Sequence, residues 1–375
     1  RKNYFGRFSY NYLERYLVEF VWRVDGSYRF PKNKRYGFFP GVSAAWRVSE
    51  ENFWKENLDF IEYFKLRGSV SQTGNDALLN ADGNYDQSIQ YLNTFGFGDT
   101  YIFGTAENPR LTPTRTPNPN ITWERGTTYN LGFDFKFLNS RLTWESDLFY
   151  HKRTHMLISR NASLPEISGI TLPRENLGEM KNRGFESLVS WQDKIGEVEY
   201  GASLNMTYAR NEITFWDEVQ NVPEYQFSTG RPVGSRNMLL YVADGIFHTQ
   251  AEIDEARAKG LLYSDNTVPG DIRFKDMNGD GKIDGLDRIR PEKNQEPRFV
   301  AGLTLTAKWK GFDLMMLWQG ATGAEVYIET WSGLVGNFLK SDYDKRWTPE
   351  NPYSEGPRTW DRENQYWINN DNTYF

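Results

Sequence analysis

The chain has no cysteine among its 375 residues. That excludes a disulfide framework, a thiolate nucleophile, and zinc or iron–sulfur centres held by cysteine. No run of about 18 apolar residues occurs, so no transmembrane helix is expected. The net charge is −6 with both signs spread along the chain. No basic block points to nucleic acid and no acidic tail is present. Two of the three histidines, His151 and His155, stand four apart in HKRTH. That is a helical metal-ligand spacing, but the surrounding period is two and no HExxH pattern accompanies it. The opening RKNYFGRF has neither an initiating Met nor an apolar signal core, and the closing NNDNTYF reads as the start of another strand. The sequence is accordingly read as an internal fragment of a longer protein.

What is abundant is aromatic side chain. Phe, Trp and Tyr make up 16% of residues although the mean hydropathy is −0.70, so apolar and polar positions must be finely interleaved. In LTWESDLFY, Leu142, Trp144, Leu148 and Tyr150 share one parity and Thr143, Glu145 and Asp147 the other. EYGASLNMTY repeats this, with Tyr200, Ala202, Leu204, Met206 and Tyr208 against Glu199, Gly201, Ser203, Asn205 and Thr207. YNLGFDFKF (129–137) and AGLTLTAKW (301–309) follow suit. Such alternation predicts strands with one apolar and one polar face.

Strands are expected near 4–13, 15–26, 36–48, 61–73, 121–138, 141–156, 179–193, 196–212, 297–309 and 312–321. Short turns join them at Glu14, 138–141, 193–196 and 310–312, and 49–60 is a link of middling length. Longer links fall at SYRFPKNKR, 74–120, 157–178, 213–296 and beyond 322. Short and long links alternate, the pattern of a transmembrane β-barrel with tight periplasmic turns and long extracellular loops. A soluble sandwich, propeller or β-solenoid is the competing reading. A propeller would show a repeat of about 40–50 residues, which is not found. A sandwich would bury its apolar face under a second sheet and join its strands by loops of mixed length.

Within the link 213–296, Thr249-Gln-Ala-Glu252 has the form of a capping box. AEIDEARAK then predicts a helix ended by Gly260. FKDMNGDGKIDGLDR (274–288) has the ligand spacing of an EF-hand calcium loop. Asp276, Asn278, Asp280, Gly281, Lys282 and Asp287 occupy its first, third, fifth, sixth, seventh and twelfth places, with Asp284 at the ninth. The flanking PGDIRFK and DRIRPEK contain proline and carry no helical period, so the loop is present without the hand. A structural divalent cation, calcium before magnesium, is expected on Asp276, Asn278, Asp280, the Lys282 main-chain oxygen and Asp287. The alternative is a solvated Asn-Gly/Asp-Gly turn.

The segments VDGSYRF, RYGFFPGVSAAWRVSEENF, FKLRGSVSQTGN, NPNITWERGTTYNLGFDFKFLNSRLTWESDLFYHKRTHML, YVADGIF, PGDIRFKDMNGDGKIDGLDR, GFDLMMLWQGATG and RWTPENP occur in this order. Together they resemble the SusC/RagA family of TonB-linked outer-membrane transporters of the Bacteroidetes, across essentially the whole chain. The resemblance implies an all-β fold: a partial transmembrane antiparallel up-and-down β-barrel, about ten strands of a plugged barrel of about 22. Residues 1–375 would then be part of the TonB-dependent transporter barrel domain, with the signal, TonB box, plug and terminal strands absent. Also implied are location in the bacterial outer membrane, contact with its lipid, TonB acting through the missing N-terminal region, a SusD-like surface lipoprotein, and a glycan or peptide substrate.

No catalytic constellation is found. Carboxylates are plentiful, but sequence does not say which pairs meet, and a glycosidase needs one such pair. TFGFGD (94–99) lacks the lysine and strand-to-helix setting of a phosphate loop and reads as a flexible loop. Trp216, Tyr225, Tyr241, Trp331 and Trp360 could stack on a ligand, sit in an interfacial girdle or pack inside loops. The expectation is therefore a transporter and not an enzyme, importing an oligosaccharide or peptide. The alternative is a secreted β-rich glycosidase or carbohydrate-binding protein with structural calcium. A barrel turns Leu142, Trp144, Leu204 and Met206 outward toward lipid, whereas a soluble enzyme buries them between layers.

Overall fold

A computed structural model describes residues 2–58, 60–77, 89–113, 116–160, 173–235, 238–325 and 340–358. In chain order its strands are β1 (Lys2–Tyr12), β2 (Tyr16–Gly26), β3 (Tyr36–Arg47), β4 (Ile61–Asn75), β5 (Phe95–Phe103), β6 (Ala106–Pro113), β7 (Glu124–Phe137) and β8 (Leu142–Ser159). They continue as β9 (Arg174–Ile195), β10 (Val198–Phe215), β11 (Leu240–Tyr241), β12 (Ala243–Ile246), β13 (Ile272–Phe274), β14 (Arg288–Ile289), β15 (Phe299–Trp309) and β16 (Phe312–Thr322). The helices are α1 (Asn52–Asn57), α2 (Gln250–Ala258) and α3 (Lys340–Lys345). The chain divides into two compact units, one of residues 1–218 and 297–323, the other of residues 219–296 and 324–375.

The first unit is built on a ten-stranded sheet in the order β1-β2-β3-β4-β7-β8-β9-β10-β15-β16. Every expected strand is present, every pairing is antiparallel, and the meander is interrupted only where loops intervene in sequence. The register carries one parity across the sheet. Trp46 faces Leu66, which faces Phe133; Leu131 faces Leu148, Phe185 and Tyr208 in turn. Leu204 lies between Val189 and Leu303. This face is apolar and is not buried: Leu148 is 57% exposed and Trp144 39%. On the opposite parity stand Ser43, Ser69, Asn130, Asp147, Glu186, Ser203 and Thr304. The sheet is thus apolar outside and polar inside.

Short connections share one end. Leu13 and Glu14, with φ of 52° and 56°, lie in the three-residue loop 13–15 between the paired Tyr12 and Tyr16, where the Arg15 N–H donates to the Tyr12 carbonyl at 2.9 Å. Gly196 and Glu197 close the β9–β10 hairpin between Ile195 and Val198. At this end the 48–60 link folds onto the apolar face. The Trp54 ring packs 5.1 Å from Phe64, and the Glu51 carboxylate accepts hydrogen bonds from Tyr16 Oη at 2.7 Å and Trp46 Nε1 at 3.1 Å. At the other end the long links depart, 213–296 among them, since Phe215 stands opposite Glu179 at the far end of the β9–β10 ladder.

A small core of Phe30, Phe39, Ile121 and Trp123 is buried at that far end. Phe39 stands opposite Arg23, on the polar parity, so the loops carrying Phe30 and Ile121 fold over the inner face. The expectation of a flexible loop at 94–99 is corrected: Phe95 begins β5, which pairs with β6. Its Phe95 and Phe97 have the period-two spacing of a strand, which glycine-rich composition obscured.

The second unit has an ordinary core. Tyr241, Ile272, Phe274 and Ile283 are buried together, and the pairs β11–β14 and β12–β13 frame them. The expected helix is α2, its Thr249 cap accepting from the Glu252 N–H while Glu252 accepts from the His248 N–H. The last described segment is stapled to this core. Trp347 Nε1 donates to the His248 carbonyl at 3.2 Å, and Arg358 Nε donates to the buried Asp271 at 2.6 Å.

Candidate functional site

The acidic loop follows β13 directly. Its first residue, Asp276, accepts N–H bonds from Gly279 at 2.6 Å and Gly281 at 2.9 Å. Asn278 accepts from the Asp280 N–H at 3.0 Å, and Asp280 from the Lys282 N–H at 2.9 Å. The Asn278 and Asp280 bonds are successive Asx turns, in which a short polar side chain takes the place of a backbone acceptor. Asn278 Nδ2 also donates to Asp280 Oδ2 at 3.0 Å. Asp287 is fully buried. Its carboxylate accepts from Met277 N–H at 2.8 Å and Asp284 N–H at 2.7 Å, so it ties the start of the loop to its end. Asp284 caps the short helical turn 285–287 by accepting from the Leu286 N–H.

Glycine is required at Gly281, whose φ of +80° is costly for any side chain with a Cβ. The C-terminal Gly260 of the α2 segment abuts the same place: a Cβ there would lie 2.7 Å from the Gly281 carbonyl oxygen. Helix end and acidic loop are therefore packed as one piece.

The acidic loop carries four carboxylates and one carboxamide between 276 and 287. The N–H groups of Gly281 and Gly279 hold the Asp276 carboxyl below its usual pKa, so it is ionised at neutral pH. Its five oxygen donors fit calcium or magnesium by type. Among the described residues no group of three His, Asp or Glu side chains is gathered closely enough to hold a metal. Two of the five donors, the Asn278 amide and the Lys282 carbonyl, are of another kind.

Of the five loop aromatics for which ligand stacking, an interfacial girdle and packing inside loops were the alternatives, two pack or bond within the fold. Tyr241 is buried against Tyr263 and Phe274, and Tyr225 Oη donates to the Leu286 carbonyl at 2.7 Å. Trp216 is half-buried. Trp331 and Trp360 lie outside the described residues. His151 is on the inner face, its Nδ1 2.8 Å from Thr128 Oγ1.

A charged cluster on the inner face was not foreseen. Arg67 engages both oxygens of Asp147, one through Nη2 at 2.6 Å, and its Nε donates to Asp134 at 3.0 Å. Lys65 adds a second contact to Asp134 at 3.5 Å. The polar parity marked these residues as inward, but only strand register joins positions so far apart in sequence.

The lipid-type exterior, the polar interior and the segregation of short and long links define a class of membrane barrel. A family model described as TonB dependent receptor-like, beta-barrel, matches residues 1–374. The chain belongs to that family. TonB-dependent receptor P26 of Formosa agariphila is 30% identical over 95% of this chain and 36% of its own length. TonB-dependent receptor SusC of Bacteroides thetaiotaomicron is 29% identical over 87% of this chain and 32% of its own. The RagAB peptide importer in its open-open state superposes with a TM-score of 0.69 at 22% identity, covering 95% of this chain and 37% of that one; this likeness speaks for the fold. The chain spans about a third of the length of these TonB-dependent relatives. Members are outer-membrane receptors and transporters, and no enzymatic step defines the family.

Proposed function

We propose that residues 1–375 are part of the barrel domain of a TonB-driven importer that carries a nutrient, an oligosaccharide or short peptide, across the bacterial outer membrane. No bond in the substrate is made or broken. The observation that carries this reading is the continuous apolar exterior of a single meandering sheet. On β10 the outward apolar run from Val198 to Tyr208 precedes Arg210. Ten residue steps at about 3.3 Å, tilted by about 40°, give about 25 Å along the membrane normal, the height of the apolar band of an outer-membrane barrel. The short turns face the periplasm and the long links the exterior, where a SusD-like lipoprotein and the substrate dock. TonB acts through the plug region outside this chain. The relatives' names favour TonB coupling, and the RagAB importer brings peptide into the substrate class.

In this reading Asp276, Asn278, Asp280, the Lys282 carbonyl and Asp287 hold a structural calcium ion. It pins the external loop and does not switch it, because no helix pair is there to open. The test is uptake by cells carrying the full-length protein or a version lacking 219–296, supplied with labelled oligosaccharides and peptides. Loss of uptake with membrane insertion intact supports the reading; unchanged uptake of every substrate by the truncated protein refutes it. For the loop, chelation in the purified full-length protein is expected to lower protection of 276–287 against hydrogen exchange, and calcium to restore it.

A further inference from the structure

Above the aromatic level of the outward face, at the end where the long links leave, lies a row of charge. Register places Tyr150 opposite Arg183, and Arg183 opposite Arg210, so both arginines share the outward parity of Tyr150 and Tyr208. One step further from the apolar band stand Lys152 and Lys181, again opposite one another. Each lysine has its own carboxylate: Lys152 pairs with Glu179 at 2.9 Å and Lys181 with Glu212 at 2.8 Å. The two arginines have none. Among the described residues neither guanidinium has a hydrogen-bond or ion-pair partner, and Arg183 is exposed.

Like charges directly opposite on an antiparallel pair sit about 5 Å apart at Cβ and repel. Four cations against two carboxylates leave the row with a surplus of two positive charges, both on Arg183 and Arg210. An anion between the forks would turn that repulsion into two charge-assisted contacts. A phosphate fits because its oxygens match the planar donor pairs of guanidinium groups, which lysine does not reproduce. The height is also right: the pair lies just past Tyr208, where the apolar run ends and lipid headgroups begin.

We infer that Arg183 and Arg210 form a binding site on the barrel exterior for the phosphate of an outer-leaflet glycolipid. The inference rests on the membrane-barrel reading proposed above. In this arrangement Tyr150, Phe185 and Tyr208 line the apolar side of the site, and Lys152–Glu179 and Lys181–Glu212 close its upper edge. The phosphate removes the arginine–arginine repulsion and holds one lipid against the β9–β10 wall.

The experiment is native mass spectrometry of the detergent-solubilised full-length protein titrated with three probes: phosphorylated lipid A, lipid A freed of phosphate, and inorganic phosphate. The expected result is binding of phosphorylated lipid A that falls roughly tenfold or more in an Arg183→Gln/Arg210→Gln double variant. A Lys194→Gln/Glu199→Gln variant, which removes an ion pair at the opposite end of the β9–β10 hairpin, is expected to keep it. Equal binding of dephosphorylated lipid A, or unchanged binding by the arginine variant, overturns the site. Inorganic phosphate bound as tightly as the lipid overturns its assignment to a lipid. A nitroxide on a Leu148→Cys variant in bilayers separates the two readings. With that label immersed in lipid, a failure to bind lipid A counts against this inference alone; with the label in water, the barrel reading itself fails.

Discussion

The sheet and the loop unit of residues 219–296 obey opposite rules. In the loop unit Tyr241, Ile272, Phe274 and Ile283 are hidden from solvent and charged residues such as Asp254 and Lys259 lie outside, as in any water-soluble domain. In the sheet the large side chains Leu148, Trp144 and Tyr129 are exposed, while Arg67, Asp134 and Asp147 pair on the inner face. Both regions have sequences with regular alternation or capping, so local propensity does not separate them. What differs is the solvent each face is built for. The loop unit gains by removing apolar surface from water within itself. The sheet must give its apolar surface to lipid, and it satisfies its backbone by strand pairing because lipid offers no hydrogen bonds.

That contrast can be broken by substitution. The largest effect is expected for Phe274→Ala, which empties part of the loop core and should cost about 3–5 kcal/mol of loop stability. Limited proteolysis of the full-length protein should then cut within 219–296, while the heat-modifiable migration of the barrel stays as it was. A loss of barrel migration would show that the two regions fold as one. Next, Leu204→Arg, at the middle of the outward run of β10, should cost about 2–4 kcal/mol for folding into bilayers. Thr306→Lys, on the inward parity opposite Gly201, should stay within about 0.5 kcal/mol. Equal costs at the two positions in urea titrations from vesicles would end the inside-out description.

A smaller change is expected from Thr249→Ala. Removing the α2 cap should cost about 1 kcal/mol, read as faster hydrogen exchange in 250–258 and nowhere in the sheet. The smallest is a pH effect at the acidic loop. The Asp276 carboxyl titrates below its ordinary value of about 3.9, held there chiefly by the Gly281 and Gly279 N–H groups. Its contribution is therefore complete above that ordinary value and is lost as pH falls through the lowered one. Protection of the Gly279 and Gly281 amides, corrected for intrinsic exchange, should decline below about pH 4 and be independent of pH in Asp276→Asn.

The alternation of Leu142, Trp144, Leu148 and Tyr150 made β8 and its two faces legible, because a strand's side-chain period is two whatever surrounds it. The strictly alternating link lengths made the meander legible too, since a short turn leaves no choice but pairing with the next strand. Thr249 and Gly260 marked the ends of α2 through capping chemistry that is local. The turn residues of DMNGDGKIDGLD also encoded the Asx turns of the acidic loop, each spanning only two or three residues.

Other features had no local signal. Phe95 and Phe97 belong to a strand because β6 lies beside them. Asp287 is buried because its carboxylate bridges Met277 and Asp284 across the loop. Arg67 meets Asp147, and Arg183 meets Arg210, only through the register of β4, β7, β8, β9 and β10. Sequence sets which face a residue takes, since that depends on its neighbours one and two positions away. Which side chains stand opposite is set by the stagger of whole strands, and a slip of one residue would change every partner at once.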